Sequence, residues 1–348
     1  MTMKAACLYG KKDIRIKEVP VPEIGDNEVL LKVKSAFLCG TDLRMYKNGY
    51  PGVFEASPLI PGHELSGIIE KTGKEVRGYT EGMAVAVAPN MGCGSCNSCV
   101  GGNTQLCKVN FRAFGINIDG GFAEYVKIPE DAVKQGNMVE FKNLSFEEAA
   151  LAEPLSCVFN AFQRYNVQPA DIVLIIGAGP IGLMHGKLAD MAGASKVIIN
   201  DIRQERLDLA KTVEPGFLTS EGDEIRSLVT KLTGGEGVQV IVTACPAPEA
   251  QVLAMELVAM NGRVSFFGGL PKDRAQVPID TNLIHYKQIT VTGTTMQNLE
   301  QYRKCIRLIE NGIIEVKPLI TDTYPVENII DAYNKTMLGK GIKHSISW

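Results

Sequence analysis

Neither sign of charge prevails in this sequence: 36 basic residues stand against 39 acidic ones, and no basic block occurs. A balanced chain of this kind argues against nucleic acid as a partner. Nor is there an apolar run long enough to span a bilayer. The longest, around residues 172–184, is short and carries Gly and Pro at its centre, so no membrane partner is expected. The opening Met-Thr-Met-Lys-Ala-Ala lacks the charged-then-apolar form of a secretory signal. A reduced, cytoplasmic setting is therefore expected, which disfavours disulfides. No internal repeat or low-complexity tract is visible, so a solenoid is excluded. The length of 348 residues predicts two domains, each large enough to bury its own core.

What the chain has in concentration is cysteine. Cys93, Cys96, Cys99 and Cys107, four of the nine cysteines, fall in one short glycine-bearing loop. Four thiolates so close can converge on one tetrahedral ion, and Zn²⁺ favours that closed arrangement. An iron–sulfur cluster also takes four cysteines and is the competing reading. Cys7, Cys157, Cys245 and Cys305 stand alone among apolar neighbours, and plain core filling accounts for them.

The first 140 residues read as short strands joined by Gly/Pro turns, with alternation over 29–36, 65–70 and 83–88. The pattern suggests a compact β-barrel-like unit from which the cysteine loop projects. The grammar changes near Ser145, where Ser145-Phe-Glu-Glu148 has the form of a capping box opening a helix. Beyond Pro169, β-rich apolar runs at 172–176, 197–199, 238–242, 264–267 and 289–291 alternate with helical patterns at 181–192, 204–211, 224–232 and 248–260. Such alternation predicts an α/β, doubly wound parallel sheet. The tail offers helices at 299–310 and 326–337 and a closing strand at 344–348. It is too short for a domain and is expected to pack on the first one.

Gly177-Ala-Gly179-Pro180-Ile181-Gly182 is a G-x-G-x-x-G string. It follows a predicted strand, opens a predicted helix, and precedes Asp201 at the end of the next strand, which are the contexts that mark a dinucleotide fold. The first glycine serves the tight turn, the second the approach of the pyrophosphate, and the third the packing of helix on strand. Asp201 is placed to accept from the adenosine ribose hydroxyls and to repel a 2′-phosphate, so NAD is expected over NADP. Arg203 and Arg206 nearby keep NADP as the lesser alternative. For Asp201 the plainer role is that of a cap where strand passes into helix.

A second metal site is suggested by quieter residues. Cys39-Gly-Thr41-Asp42 and Gly62-His63-Glu64 both lie in predicted loops, and Glu153-Pro154 falls at the predicted domain junction. A Cys–His–carboxylate set leaves one zinc position open, which is the form of a catalytic site.

In this order, and over essentially the whole chain, these motifs together with Gly120-Gly-Phe-Ala-Glu124-Tyr resemble the zinc-dependent medium-chain dehydrogenases. Gly40-Thr41-Asp42 and Glu153-Pro154-Leu155 are most similar to the branch of sorbitol, sugar-alcohol-phosphate and threonine dehydrogenases. The resemblance implies a GroES-like β-barrel catalytic domain over residues 1–150, completed by 294–348, and a Rossmann domain over 151–293. It implies a catalytic zinc on Cys39 and His63, with Glu64 or Glu153 as the third protein ligand, and a structural zinc on Cys93, Cys96, Cys99 and Cys107. The implied activity is hydride transfer between NAD and a secondary alcohol of a polyol, sugar alcohol or polyol phosphate. An L-threonine-type amino-alcohol dehydrogenase is the alternative within enzymes, and a non-catalytic nucleotide-binding relative the alternative outside them. Thr41, two residues past a ligand, would carry the alcohol's proton away. In its plainer role its hydroxyl only caps a turn or helix. Relatives often place His two residues after the Asp of this motif; here Arg44 stands there and cannot act as a base. With Lys47 it is read as an anion-recognising pair or as a solvated surface arginine. The resemblance also implies a homodimer or homotetramer, with the strand near 289–293 as a contact edge.

Overall fold

The computed structural model describes residues 1–348. The chain forms two compact units, Met1–Ser156 with Gln297–Trp348, and Cys157–Met296. The expected cuts lay after residues 150 and 293. The first division instead falls inside the helix Ala152–Tyr165, where an unbroken helical pattern carries no sign of a domain change. What the sequence does mark is the preceding capping box. Ser145 Oγ accepts from Glu148 N at 3.2 Å and Glu148 Oε2 from Ser145 N at 3.0 Å, at the start of the helix Phe146–Ala150.

The first unit is built on a seven-stranded sheet. Its path runs Ile320–Pro325, Lys343–Ser347, Val29–Phe37, Glu64–Thr72, Ala84–Val87 and Met138–Glu140, and Tyr125–Ile128 also pairs with Val29–Phe37. A hairpin of Thr2–Gly10 and Asp13–Pro20 forms a separate two-stranded sheet. The buried side chains of the sheet, among them Val29, Leu31, Val33, Leu65, Ile69, Val85, Val87, Val126 and Ile128, gather into one core with Phe114 and Phe122. Each such burial contributes about 1.5–3 kcal/mol relative to exposure. Phe37 holds a particular place in the register: it lies opposite Glu64 on one side and opposite Ser345 on the other. The tail therefore supplies strands to the sheet that carries Glu64.

The second unit is a six-stranded parallel sheet in the order Leu218–Glu221, Lys196–Asp201, Ile172–Ile176, Val238–Thr243, Val258–Phe266, Thr290–Gly293. That order reverses beside Ile172–Ile176, the place where doubly wound sheets bind nucleotides. Leu218–Glu221 had no counterpart among the expected strands, because a short edge strand reading Leu-Thr-Ser-Glu shows no apolar run. The helix expected over 248–260 stops at Leu257, and Val258–Phe266 is strand. Val-Ala-Met continues the apolar run without a break, and pairing of Val258 with Val238 decides the conformation there.

Candidate zinc and nucleotide sites

In the cysteine lobe the four sulfurs form a small cage. Cys93 and Cys99 Sγ lie 4.0 Å apart, Cys96 and Cys99 3.5 Å, and Cys96 and Cys107 3.8 Å. A tetrahedral ion with Zn–S bonds of about 2.3 Å requires sulfurs about 3.8 Å apart. The edges are far too long for a disulfide, and too short to enclose an iron–sulfur cluster with its own sulfides. Backbone N–H groups aim inward as well: Cys93 N donates to Cys107 Sγ at 3.3 Å, Cys96 N to Cys93 Sγ at 3.4 Å and Asn110 N to Cys107 Sγ at 3.4 Å. Donation from Ser95 and Cys96 draws Cys93 down to about 6. The Asn110 and Cys93 amides likewise lower Cys107. Burial pushes Cys99 up to about 12, an opposition that a shared cation removes. An ion on four thiolates would have no open position, which is the form of a structural rather than a catalytic site.

In the second cluster His63 and Glu64 are buried and Cys39 is half-buried. Cys39 caps the helix Gly40–Asn48, and Asp42, fully buried on its first turn, accepts from Cys39 N at 2.8 Å. His63 immediately precedes the strand Glu64–Thr72 and Glu64 begins it. The ligand atoms of Cys39, His63 and Glu64 all lie within 4.8 Å of one another. His63 Nδ1 is 3.6 Å from Asp42 Oδ1, an ion-pair contact longer than a hydrogen bond. Neither of those atoms nor Glu64 Oε1 has a hydrogen-bond partner, and buried polar atoms are seldom left so unless something else occupies them. Burial works against a charged His63, yet Asp42 and the Cys39 sulfur outweigh it and hold the imidazole well above its ordinary value. The pocket thus favours a cation, and thiolate, imidazole and carboxylate are the donors zinc takes.

Glu153 stands beside this tight set, on the first turn of Ala152–Tyr165. Burial, and then the Glu64 carboxylate, push it up to about 7 against the pull of His63 and Lys343. Gln297 Nε2 donates to its Oε1 at 3.1 Å, and Asn90 Nδ2 donates to Gln297 Oε1 at 3.1 Å. The anion-pair reading of Arg44 gains nothing from its geometry: Arg44 and Lys47 are both exposed, and Arg44 Nη2 donates to Thr41 Oγ1 at 2.9 Å. Two neighbours of the cluster carried no sequence signal. Gln297 lies in a short loop before the helix Leu299–Glu310, and Lys343, buried against Glu64 at 2.5 Å, falls one residue before the closing strand expected at 344–348.

In the second unit the glycine string passes from the strand Ile172–Ile176 into the helix Pro180–Met191. Gly177 has φ +117°, and a Cβ on Gly182 would lie 1.9 Å from Gly177 O, so neither position tolerates a side chain. Gly179 caps the helix, with Pro180 in its first turn and Ile181 next. Asp201 ends Lys196–Asp201. It accepts from Ala178 N at 2.8 Å through Oδ2 and from Arg203 N at 3.1 Å through Oδ1. It therefore braces the loop and the next turn. Arg206 is partly buried near Asp201, and burial together with Arg203 lowers it.

Residues 25–137 match the family model of the alcohol dehydrogenase GroES-like domain, and residues 180–311 match that of zinc-binding dehydrogenases. The chain is 34% identical over 339 residues to a sorbitol dehydrogenase of Bacillus subtilis, covering 96% of this chain and 94% of that one. It is 32% identical over 336 residues to an L-threonine 3-dehydrogenase of Bacillus velezensis, covering 94% of each. Among solved structures, the alcohol dehydrogenase TADH of Thermus sp. ATN1 superposes with a TM-score of 0.89 at 26% identity, over 99% of both chains.

Proposed function

This chain belongs to the zinc-binding, GroES-like alcohol dehydrogenase family, and we propose that it oxidises a secondary alcohol of a polyol, sugar alcohol or polyol phosphate with NAD. The observation that carries the reading is the largely buried Cys39–His63–Glu64 cluster, with its convergent ligand atoms and orphaned polar atoms. Cys39 and His63 are assigned as zinc ligands, with Glu64 or Glu153 as the third. Cys93, Cys96, Cys99 and Cys107 are assigned to a structural zinc. A zinc held there would supply Lewis acidity toward the substrate alcohol, and a bound nicotinamide would supply the hydride acceptor.

The protein's own groups do the rest. Gly177 makes the turn, Pro180 opens the helix, and Gly179, Ile181 and Gly182 present backbone N–H groups and the helix N-terminus to the pyrophosphate, while Asp201 takes the ribose and Arg206 lines its approach. Thr41 receives the proton. Its oxygen already accepts from Arg44, which leaves its O–H to point away from the guanidinium. Arg44 cannot accept a proton, so the route continues through water. Asp42 fixes the Cys39 backbone, and Glu153, poised at about 7, is able to hold or release a proton beside the cluster.

No helix is long and apolar enough to cross a membrane. Nine free cysteines suit a reducing, cytoplasmic setting. A homodimer or homotetramer is proposed along Thr290–Gly293, the free edge of the six-stranded sheet, where Val291 and nearby Tyr286 are exposed and unpaired backbone groups invite a second strand. The test of the activity is NADH formation by zinc-quantified protein on a panel of polyols, polyol phosphates, 2,3-butanediol and L-threonine. Turnover on polyols above L-threonine supports the reading. Silence from fully zinc-loaded protein on every alcohol would sink it.

A further inference from the structure

Beside the cysteine lobe lies a cleft of about 610 Å³, the size of a site for a small organic molecule. No residue of the Cys39 cluster or of the glycine string lines it. Part of its wall is the helix Leu299–Glu310, where Arg303 and Arg307 stand one turn apart on one face. Glu300, the one acid in the lining, is turned to Lys304 at 2.8 Å. Arg303 Nη2 donates to Gly136 O at 2.9 Å. A Cβ on Gly136 would collide with that nitrogen, so the glycine seats the guanidinium and leaves its remaining N–H groups to the cleft. The Arg307 side chain bonds to nothing in the chain, since Asn311 Nδ2, at 2.8 Å, reaches only its backbone oxygen. Asn137, 1% exposed in the same lining, gives its amide hydrogens to Ala88 O at 2.7 Å and Asn90 O at 2.8 Å. Its Oδ1 is left buried without a partner.

We propose that this cleft binds a phosphate monoester of a hydroxylated carbon skeleton, its phosphate held between Arg303 and Arg307. Two guanidiniums without a carboxylate partner suit a group that carries nearly two negative charges and three acceptor oxygens. Inorganic phosphate alone would leave most of the space empty. The rest of the lining is polar and uncharged: Asn298, whose Oδ1 is taken by Gln301 N at 2.9 Å while its Nδ2 is free, together with Thr104 and Asn137. Amides and hydroxyls of that kind exchange hydrogen bonds with the hydroxyls of a sugar or polyol. Cys99 also touches the cleft, but its sulfur stays in the cage, 3.5 Å from that of Cys96.

Amide hydrogen exchange of the zinc-loaded full chain tests the proposal, with glucose 6-phosphate and inorganic phosphate as probes. Glucose, and chloride at matched ionic strength, are the controls. Millimolar glucose 6-phosphate should slow exchange over residues 101–104 and 299–303 by about threefold or more, inorganic phosphate by less, and the controls not at all. Arg307→Gln removes a charge that has no contact of its own, and should raise the concentration needed by about tenfold with the thermal midpoint unchanged. Adding Arg303→Gln should abolish the effect; if that double variant fails to fold, Arg307→Glu decides in its place. Slowing that survives in these variants, or that glucose or chloride reproduces, overturns the proposal. So does no slowing, or slowing confined to residues 177–182, which would put the anion on the nucleotide loop. A response to inorganic phosphate without one to the ester would mean an adventitious ion only and overturns it as well. None of these readouts involves turnover, so failure of the dehydrogenase reading is a separate outcome.

Discussion

His185 makes the nucleotide-binding unit acid-sensitive by a calculable amount. It lies on the helix Pro180–Met191, fully buried, with Nδ1 2.9 Å from Tyr165 Oη and its ring edge-on to Phe267 at 4.8 Å. Its Nε2 has no partner, so a second proton would be stranded in an apolar site. Burial drives the group from an ordinary 6.5 down to about 3. The folded protein therefore keeps His185 neutral between pH 6.5 and 3, while the unfolded chain takes up a proton. Stability from this group is fully present above pH 6.5 and is lost as pH falls toward 3. The loss is about 2 kcal/mol at pH 5 and tends to about 5 kcal/mol below pH 3. Native-state hydrogen exchange of the Leu174–Ile176 amides at pH 7 and pH 5 measures it within this unit, compared between the parent and His185→Phe. Phenylalanine fills the ring space and costs the Tyr165 hydroxyl its partner at both pH values, so that cost cancels. Acid loss of zinc is likewise common to both proteins. The parent should lose about 2 kcal/mol more than the variant between the two pH values. Equal losses in the two proteins would refute the argument.

Replacing Gly182 by Ala forces a methyl against Gly177 O, so enhancement of NADH fluorescence on binding should vanish; retained enhancement would show the loop to be more yielding than its geometry. Cys99→Ser should cost the lobe its zinc while the Cys39 site keeps its own, and Cys39→Ser the reverse; elemental analysis showing either variant with unaltered zinc sinks that ligand assignment. Arg44→His places a titratable base within reach of Thr41, and kcat should acquire an inflection near the ordinary histidine range of about 6.5 that the parent lacks. An unchanged profile would remove Thr41 from the proton route. Asp201→Ser removes the charge that repels a 2′-phosphate, and the ratio of kcat/KM for NADP over NAD should rise; a constant ratio would leave Asp201 only its bracing of Ala178.

The sites differ in how legible they were, and the difference comes from contact range. The cysteine cage is held by residues within one loop, and its sulfurs meet because their spacing lets them. The Gly177–Gly182 turn likewise answers to steric demands between residues five apart, which motif and flanking pattern reveal. The contact of Arg44 with Thr41 spans one helical turn and is implied by the motif once the helix is known. Strands buried on both faces announced themselves by composition. Leu218–Glu221 did not, because an edge strand with polar residues is specified by its neighbour Lys196–Asp201 rather than by its own pattern.

The Cys39–His63–Glu64 cluster lies at the other extreme. That Cys39, His63 and a glutamate belong together was suggested by residue type and by family order. That Glu64 rather than Glu153 completes the tight set, and that Glu64 is shared with a lysine, was written nowhere locally. Both arise from sheet register: Phe37 aligns with Glu64 on one side and Ser345 on the other, which delivers Lys343 to a carboxylate 279 positions away. Gln297, just before the helix Leu299–Glu310, meets Glu153 on the helix Ala152–Tyr165 across 144 positions, a contact that tertiary packing alone provides. Chain spacing suffices where ligands share a loop, because their separation is limited by a few bonds. Where a site is assembled from distant strands, only the pairing of those strands brings the charges together.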